Sequence, residues 1–146
     1  MSFSQKVKNN SILIVDDEVD VLDFLKIYLE SLNWNVVIAN TTAKAFEELT
    51  KQPFFLVLTD IAMPEMDGYE FISKIKEMNY QSQMVLMTGF GYNPKHTLVK
   101  IYKTIRYPCL FKPFNRVKVS ETVQHAWDEY HQEILISESG TPEQQP

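Results

Sequence analysis

The chain has 146 residues, of which 45% are hydrophobic and 23% charged, with a formal net charge of −5. That length suits one domain with a substantial core, and the acidic balance argues against a nucleic-acid surface made by this chain alone. No apolar run is long enough to cross a bilayer, the N-terminal "MSFSQKVKNN" lacks the apolar run of a secretory signal, and the single cysteine, Cys109, excludes an intrachain disulfide and a cysteine zinc cluster. The expected address is therefore cytoplasmic, without membrane insertion.

After a lead over residues 1–10, "SILIV" (11–15) reads as a buried strand ending on "VDDE". Its apolar residues are continuous, as expected when both faces of a strand are covered. A helix over 18–33 places Val21, Leu22, Leu25, Leu29 and Leu32 on one face. A strand over 35–39 follows, then a helix over 42–52 with Thr41 as its N-cap. "FFLVLT" (54–59) is a third strand. It runs onto Asp60 and into the turn-rich "IAMPEMDG", then a helix over 69–79 with Phe71, Ile72, Ile75 and Met78 along one side.

A strand over 84–87 precedes a helix over 94–105, with Asn93 as cap and Pro94 in the first turn, where a missing N–H does no harm. "PCLF" (108–111) is the fifth strand. Pro108 at its start suits a sheet edge. The last helix begins near Asn115 and turns Val119, Val123, Ala126, Trp127 and Tyr130 inward, and "SESGTPEQQP" (137–146) reads as a disordered tail or linker.

Strands alternating with helices imply right-handed crossovers and a parallel sheet covered on both sides. The expected fold is α/β: a flavodoxin-like, doubly wound (βα)5 three-layer sandwich with strand order 2-1-3-4-5. One domain is expected over 11–132, with 133–146 as helix end and tail.

Ligands bind such sheets beyond the carboxyl ends of the strands. Asp16 and Asp17 follow strand one, Asp60 strand three, Thr88 strand four and Lys112, with Pro113 after it, strand five. Singly, each has a structural explanation. Asp16 or Asp17 could cap the first helix, with Glu18 at its positive end. Asp67 with Gly68 is turn chemistry, Thr88 could be a cap and Lys112 a surface lysine. Together they are harder to explain so, because three clustered acids raise one another's cost of ionisation. A divalent cation and an ammonium would relieve that cost. All-oxygen ligation suits Mg²⁺, and a carboxylate beside Mg²⁺ and lysine can attack a phosphoryl group to give an aspartyl phosphate.

The elements "ILIVDDE", "LVLTDIAMPEMDGYEFI", "VLMTG" and "LFKPF", in this order and spacing, resemble the receiver domain of bacterial two-component response regulators. The resemblance covers roughly residues 11–132. It implies that Asp60 is the phosphoacceptor and a metal ligand. Asp16, Asp17 and the carbonyl of Ala62 would complete the Mg²⁺ site, Asp17 most directly and Asp16 partly through water. Thr88 would bond the phosphoryl group, Lys112 would pair with it, and the Lys112–Pro113 bond would be cis. The donor would be a histidine kinase or a histidine phosphotransfer protein. The domain would be no enzyme beyond its own phosphorylation and dephosphorylation. His96, His125 and His131 take no catalytic role.

The departures carry information too. Cys109 stands three residues before the lysine, where receivers often have Tyr or Phe, so an aromatic-gated switch is in doubt. Ile105 and Arg106 replace the usual Gly-Ala pair, and the loop "GFGYNP" is longer than usual. Ala62 and Phe90 occupy the positions that influence hydrolysis in the family. Neither side chain can bond an attacking water, which implies a slowly hydrolysing acyl phosphate.

Other readings fit less well. A haloacid dehalogenase-type phosphatase needs a second Asp where Ala62 stands. A flavodoxin would not place "DDE" beside a bare phosphate. A binding module indifferent to phosphorylation is the closer rival, motivated by Cys109, Ile105 and Arg106. The chain would be a stand-alone regulator or a piece of a longer protein. Its last helix could run past the domain core, exposing Ile134, Leu135 and Ile136, so the fourth and fifth helices are the expected output or homodimer face.

Overall fold

The computed structural model describes residues 9–78, 80–89 and 107–139. Five strands lie in it: β1 (Ser11–Val15), β2 (Asn35–Ala39), β3 (Leu56–Asp60), β4 (Gln83–Thr88) and β5 (Cys109–Phe111). Four described helices connect or follow them: α1 (Val19–Ser31), α2 (Thr42–Lys51), α3 (Gly68–Glu77) and α4 (Arg116–Ser139). The helix expected over 94–105, with Phe90, Ile105 and Arg106, lies outside the described residues. The strands pair in parallel, in the order β2-β1-β3-β4-β5, as expected for the flavodoxin-like fold.

Alternation along each strand divides the interior in two. Ile12, Ile14, Leu56 and Leu58 face a core completed by Leu22, Leu25 and Leu29 of α1 and by Val119, Val123, Ala126, Tyr130 and Ile134 of α4. Leu13, Val15 and Val57 face the other core, closed by Ala45 and Leu49 of α2 and Phe71, Ile72 and Ile75 of α3. Both faces of β1 and β3 are therefore dry, which is why those strands read as unbroken apolar runs. Burial of this kind stabilises by roughly 1.5–3 kcal/mol for each large apolar side chain.

Local chemistry sets the helix ends. Thr41 caps α2 by accepting the Lys44 N–H at 3.1 Å. Asn33 ends the α1 turn at φ 74°, a left-handed conformation that asparagine tolerates. Asn115 Oδ1 accepts the Lys118 N–H at 3.1 Å and starts α4.

Three expectations change. Asp67 is more than a turn residue: it caps α3 in a reciprocal box, accepting from Glu70 N at 2.8 Å while its own N–H reaches Glu70 Oε1 at 3.4 Å. Ile134 is 5% exposed and belongs to the core, whereas Leu135 and Ile136 are exposed. The helix runs to Ser139, so the first three residues of the expected tail are helical.

Candidate functional site

Register brings the acids together. Val15 of β1 lies opposite Thr59 of β3, so Asp16 and Asp60 each stand one residue further on, at the same edge. Asp60 pairs with Met87 of β4, and the next β4 residue, Thr88, pairs with Phe111 of β5. Lys112 follows at once, its N–H donating to the Thr88 carbonyl at 2.8 Å. The Lys112–Pro113 peptide bond is cis.

Oxygens of Asp16, Asp17 and Asp60 lie within 4.8 Å of one another. Asp16 is fully buried, Asp60 nearly so, and Asp17 is exposed. Asp16 Oδ1 accepts the Glu18 N–H at 2.8 Å, and its other oxygen forms an ion pair with Lys112 Nζ at 2.7 Å. Lys112 Nζ also lies 3.0 Å from Glu18 Oε1 and 3.5 Å from Asp60 Oδ2. Ala62 N approaches Asp60 Oδ1 at 3.4 Å. Thr88 Oγ1 is buried without a hydrogen-bond partner among the described residues, although a buried hydroxyl ordinarily has one.

Electrostatics reflect this crowding. Burial first, and the neighbouring Asp16 second, push the Asp60 carboxyl from its ordinary 3.8 up to about 6, against the pull of Lys112. Asp16 is also raised, mainly by burial, with Lys112 opposing. Burial alone would lower the Lys112 ammonium, but its contacts with Asp16, Glu18 and Asp60 hold it above the usual lysine range. Three hard oxygen donors whose mutual repulsion Lys112 offsets only in part fit a small divalent cation.

The expected side chains of Asp16, Asp17, Asp60, Thr88 and Lys112 thus come to one edge, with Ala62 beside them. Phe90 lies outside the described residues. Glu18 was missed as a site residue. It occupies the N-cap position of α1 without capping it, and the sequence signal, an acid before a helix, points only to the helix dipole. Gly68 was also passed over. Its N–H donates to the Ile61 carbonyl at 2.6 Å, and a Cβ there would lie 2.7 Å from the Asp60 carbonyl oxygen. Cys109 begins the edge strand and packs half-buried against the α2–α3 side of the core.

The family model described as the response regulator receiver domain matches residues 12–124. The transcriptional regulatory protein ZraR of Escherichia coli (strain K12) is 33% identical over 123 residues, which cover 84% of this chain and 27% of that protein. The response regulator receiver protein CpdR of Brucella abortus (strain 2308) is 39% identical over 80 residues, 55% of this chain and 67% of that protein. Two solved structures align closely. A beryllofluoride-activated NtrC4 receiver domain dimer gives a TM-score of 0.73 at 33% identity, over 83% of this chain and 98% of that one. A CheY-like response regulator receiver domain protein from Methanospirillum hungatei JF-1 gives 0.76 at 29% identity, over 85% of this chain and 98% of that one. The matched span runs from β1 into the last helix and includes every residue of the acidic edge, and the chain belongs to the response regulator receiver domain family of two-component signalling.

Proposed function

We propose that this domain accepts a phosphoryl group on Asp60 from a phosphohistidine of a histidine kinase or a histidine phosphotransfer protein. The observation that carries this reading is the convergence at the Asp60 edge of two further carboxylates after β1, one ammonium after β5 and, at the end of β4, one hydroxyl without a partner among the described residues. Asp16, Asp17, Asp60 and the Ala62 carbonyl would hold Mg²⁺. Bound there, the ion would supply positive charge to the carboxylates and to the oxygens of a transferring phosphoryl group.

The chain's own residues then have distinct tasks. An Asp60 oxygen attacks phosphorus, forming a P–O bond as the donor's P–N bond breaks, and the departing imidazole takes up a proton. Lys112 holds one phosphoryl oxygen by a charge-assisted hydrogen bond. Thr88 Oγ1, buried and without a partner among the described residues, donates to another. The domain thereby catalyses only its own modification. ZraR is named a transcriptional regulatory protein and this chain spans 27% of its length; the output proposed for this domain itself is a regulated contact made by its surface. The exposure of Leu135 and Ile136 on α4 supports a contact with a second copy of the chain at the last helix. A receiver dimer in the beryllofluoride-activated NtrC4 structure supports that reading.

The test is incubation with Mg²⁺ and a small-molecule phosphodonor, read by intact mass. Wild type should gain one phosphoryl group and Asp60→Asn none. Equal labelling of both would place the acceptor elsewhere.

A further inference from the structure

An ammonium has three protons to donate, and three carboxylates surround Lys112 Nζ: Asp16 at 2.7 Å, Glu18 at 3.0 Å and Asp60 at 3.5 Å. The 3.5 Å Asp60 contact is a looser ion pair that a phosphoryl oxygen on Asp60 can take over, and the negative charge that the group brings competes with the remaining two carboxylates for the ammonium. The candidates differ sharply in environment. Asp16 is 0% exposed and fixed by the Glu18 N–H, whereas the Glu18 side chain is 61% exposed. Releasing a buried carboxylate leaves an uncompensated charge, while an exposed one is taken up by water at little cost.

Glu18 and Lys112 also border the same open space. A cavity of about 730 Å³ opens beside the site, lined by Glu18 and Lys112 together with Phe24, Pro113 and Phe114. From the three contacts on Lys112 and the exposure of Glu18, we infer that Glu18 is a displaceable counter-ion that occupies the lysine in the resting state and is expelled when Asp60 carries a phosphoryl group. It is a positioning residue acting through Lys112. This rests on the reading of Asp60 as phosphoacceptor. The exchange balances as one ion-pair contact broken and one formed on the same nitrogen, with Glu18 passing to solvent.

If so, removing the Glu18 charge favours the phosphoryl-bound state. The experiment titrates wild type, Glu18→Gln, Asp20→Asn and Asp60→Asn with beryllofluoride at saturating Mg²⁺, followed by fluorine NMR. Asp20 is an exposed acid lining the same cavity with no contact to Lys112 among the described residues, so its variant reports the general effect of removing a nearby charge. Glu18→Gln should bind beryllofluoride about two- to fivefold tighter than wild type, the range of one exposed ion pair. Asp20→Asn should stay near wild type. Equal tightening in both variants, or none in Glu18→Gln, overturns the counter-ion role while leaving the phosphoacceptor reading intact. Absence of binding to wild type overturns both, and binding to Asp60→Asn equal to wild type removes Asp60 as the acceptor on which the inference rests.

Discussion

Asp60 has a pKa of about 6 in the folded protein against an ordinary 3.8, with burial the main cause and Asp16 the second. A carboxyl raised on folding holds its proton more tightly in the native state than in the unfolded one. Its contribution therefore favours the native state at low pH and is lost as pH rises from about 4 to about 6. Asp16, raised in the same direction, adds to the effect. Metal-free protein should accordingly gain stability between pH 7 and pH 5, measured by thermal melts in chelator. Asp60→Asn removes the buried charge and should stabilise metal-free protein at pH 7 by roughly 1–3 kcal/mol. Divalent metal acts oppositely, because ligands must be deprotonated to bind it. The melting-temperature increase produced by Mg²⁺ should be larger at pH 8 than at pH 5, and should shrink strongly in Asp60→Asn.

At the scale of elements, the end of β3 is held from outside the sheet by the start of α3. The first residue of that helix, Gly68, lies against the backbone of Asp60 and Ile61, where a Cβ would meet atoms at 2.7 and 2.8 Å. Backbone cannot swing aside as a flexible side chain can. Gly68→Ala should cost about 1–3 kcal/mol and also slow the phosphorylation proposed for Asp60, because β3 itself must shift. Asp67→Ala removes only the cap of α3 and should cost about 1 kcal/mol. Chemical denaturation, paired with labelling by a phosphodonor, separates the two effects. This coupling was hidden in the sequence, where Asp67 and Gly68 satisfy the rules for an ordinary turn. By contrast β1 and β2 were legible to the residue, since turn and helix signals bound their apolar runs on both sides. β3 was displaced in the reading. Phe54 and Phe55 are buried but precede the strand, and Asp60 is its last residue rather than the first of a loop. Apolar pattern reports burial, and burial extends beyond hydrogen-bonded pairing. The five converging side chains could be found because parallel topology sends every strand's carboxyl end to one edge. Glu18 could not, because an acid at the N-cap position of α1 is already explained by the helix dipole.

Across the whole molecule, the cooperative unit extends beyond the span matched by the family. The match ends at residue 124, yet Ala126, Tyr130 and Ile134 complete the core on the α1 side of the sheet. Trp127 packs edge-on against Phe55 and at a tilt against Trp34, and Tyr130 receives a hydrogen bond from Asn9 at 3.3 Å. Cutting the chain at Glu129 would therefore damage folding as well as any contact made by the helix end, and could not test association alone. Adjacent residues offer a cleaner division. Ile134 is 5% exposed and Leu135 46% exposed, so one turn of α4 presents one side chain to the core and the next to solvent. Ile134→Ala should lose about 2–5 kcal/mol by cavity formation. Leu135→Ser, exposed on the same turn, should change stability by no more than about 0.5 kcal/mol. If α4 joins two copies after phosphorylation, Leu135→Ser should weaken the association of beryllofluoride-treated protein in sedimentation while its melting temperature stays that of wild type. Unchanged sedimentation in that variant would move the output contact off the end of α4.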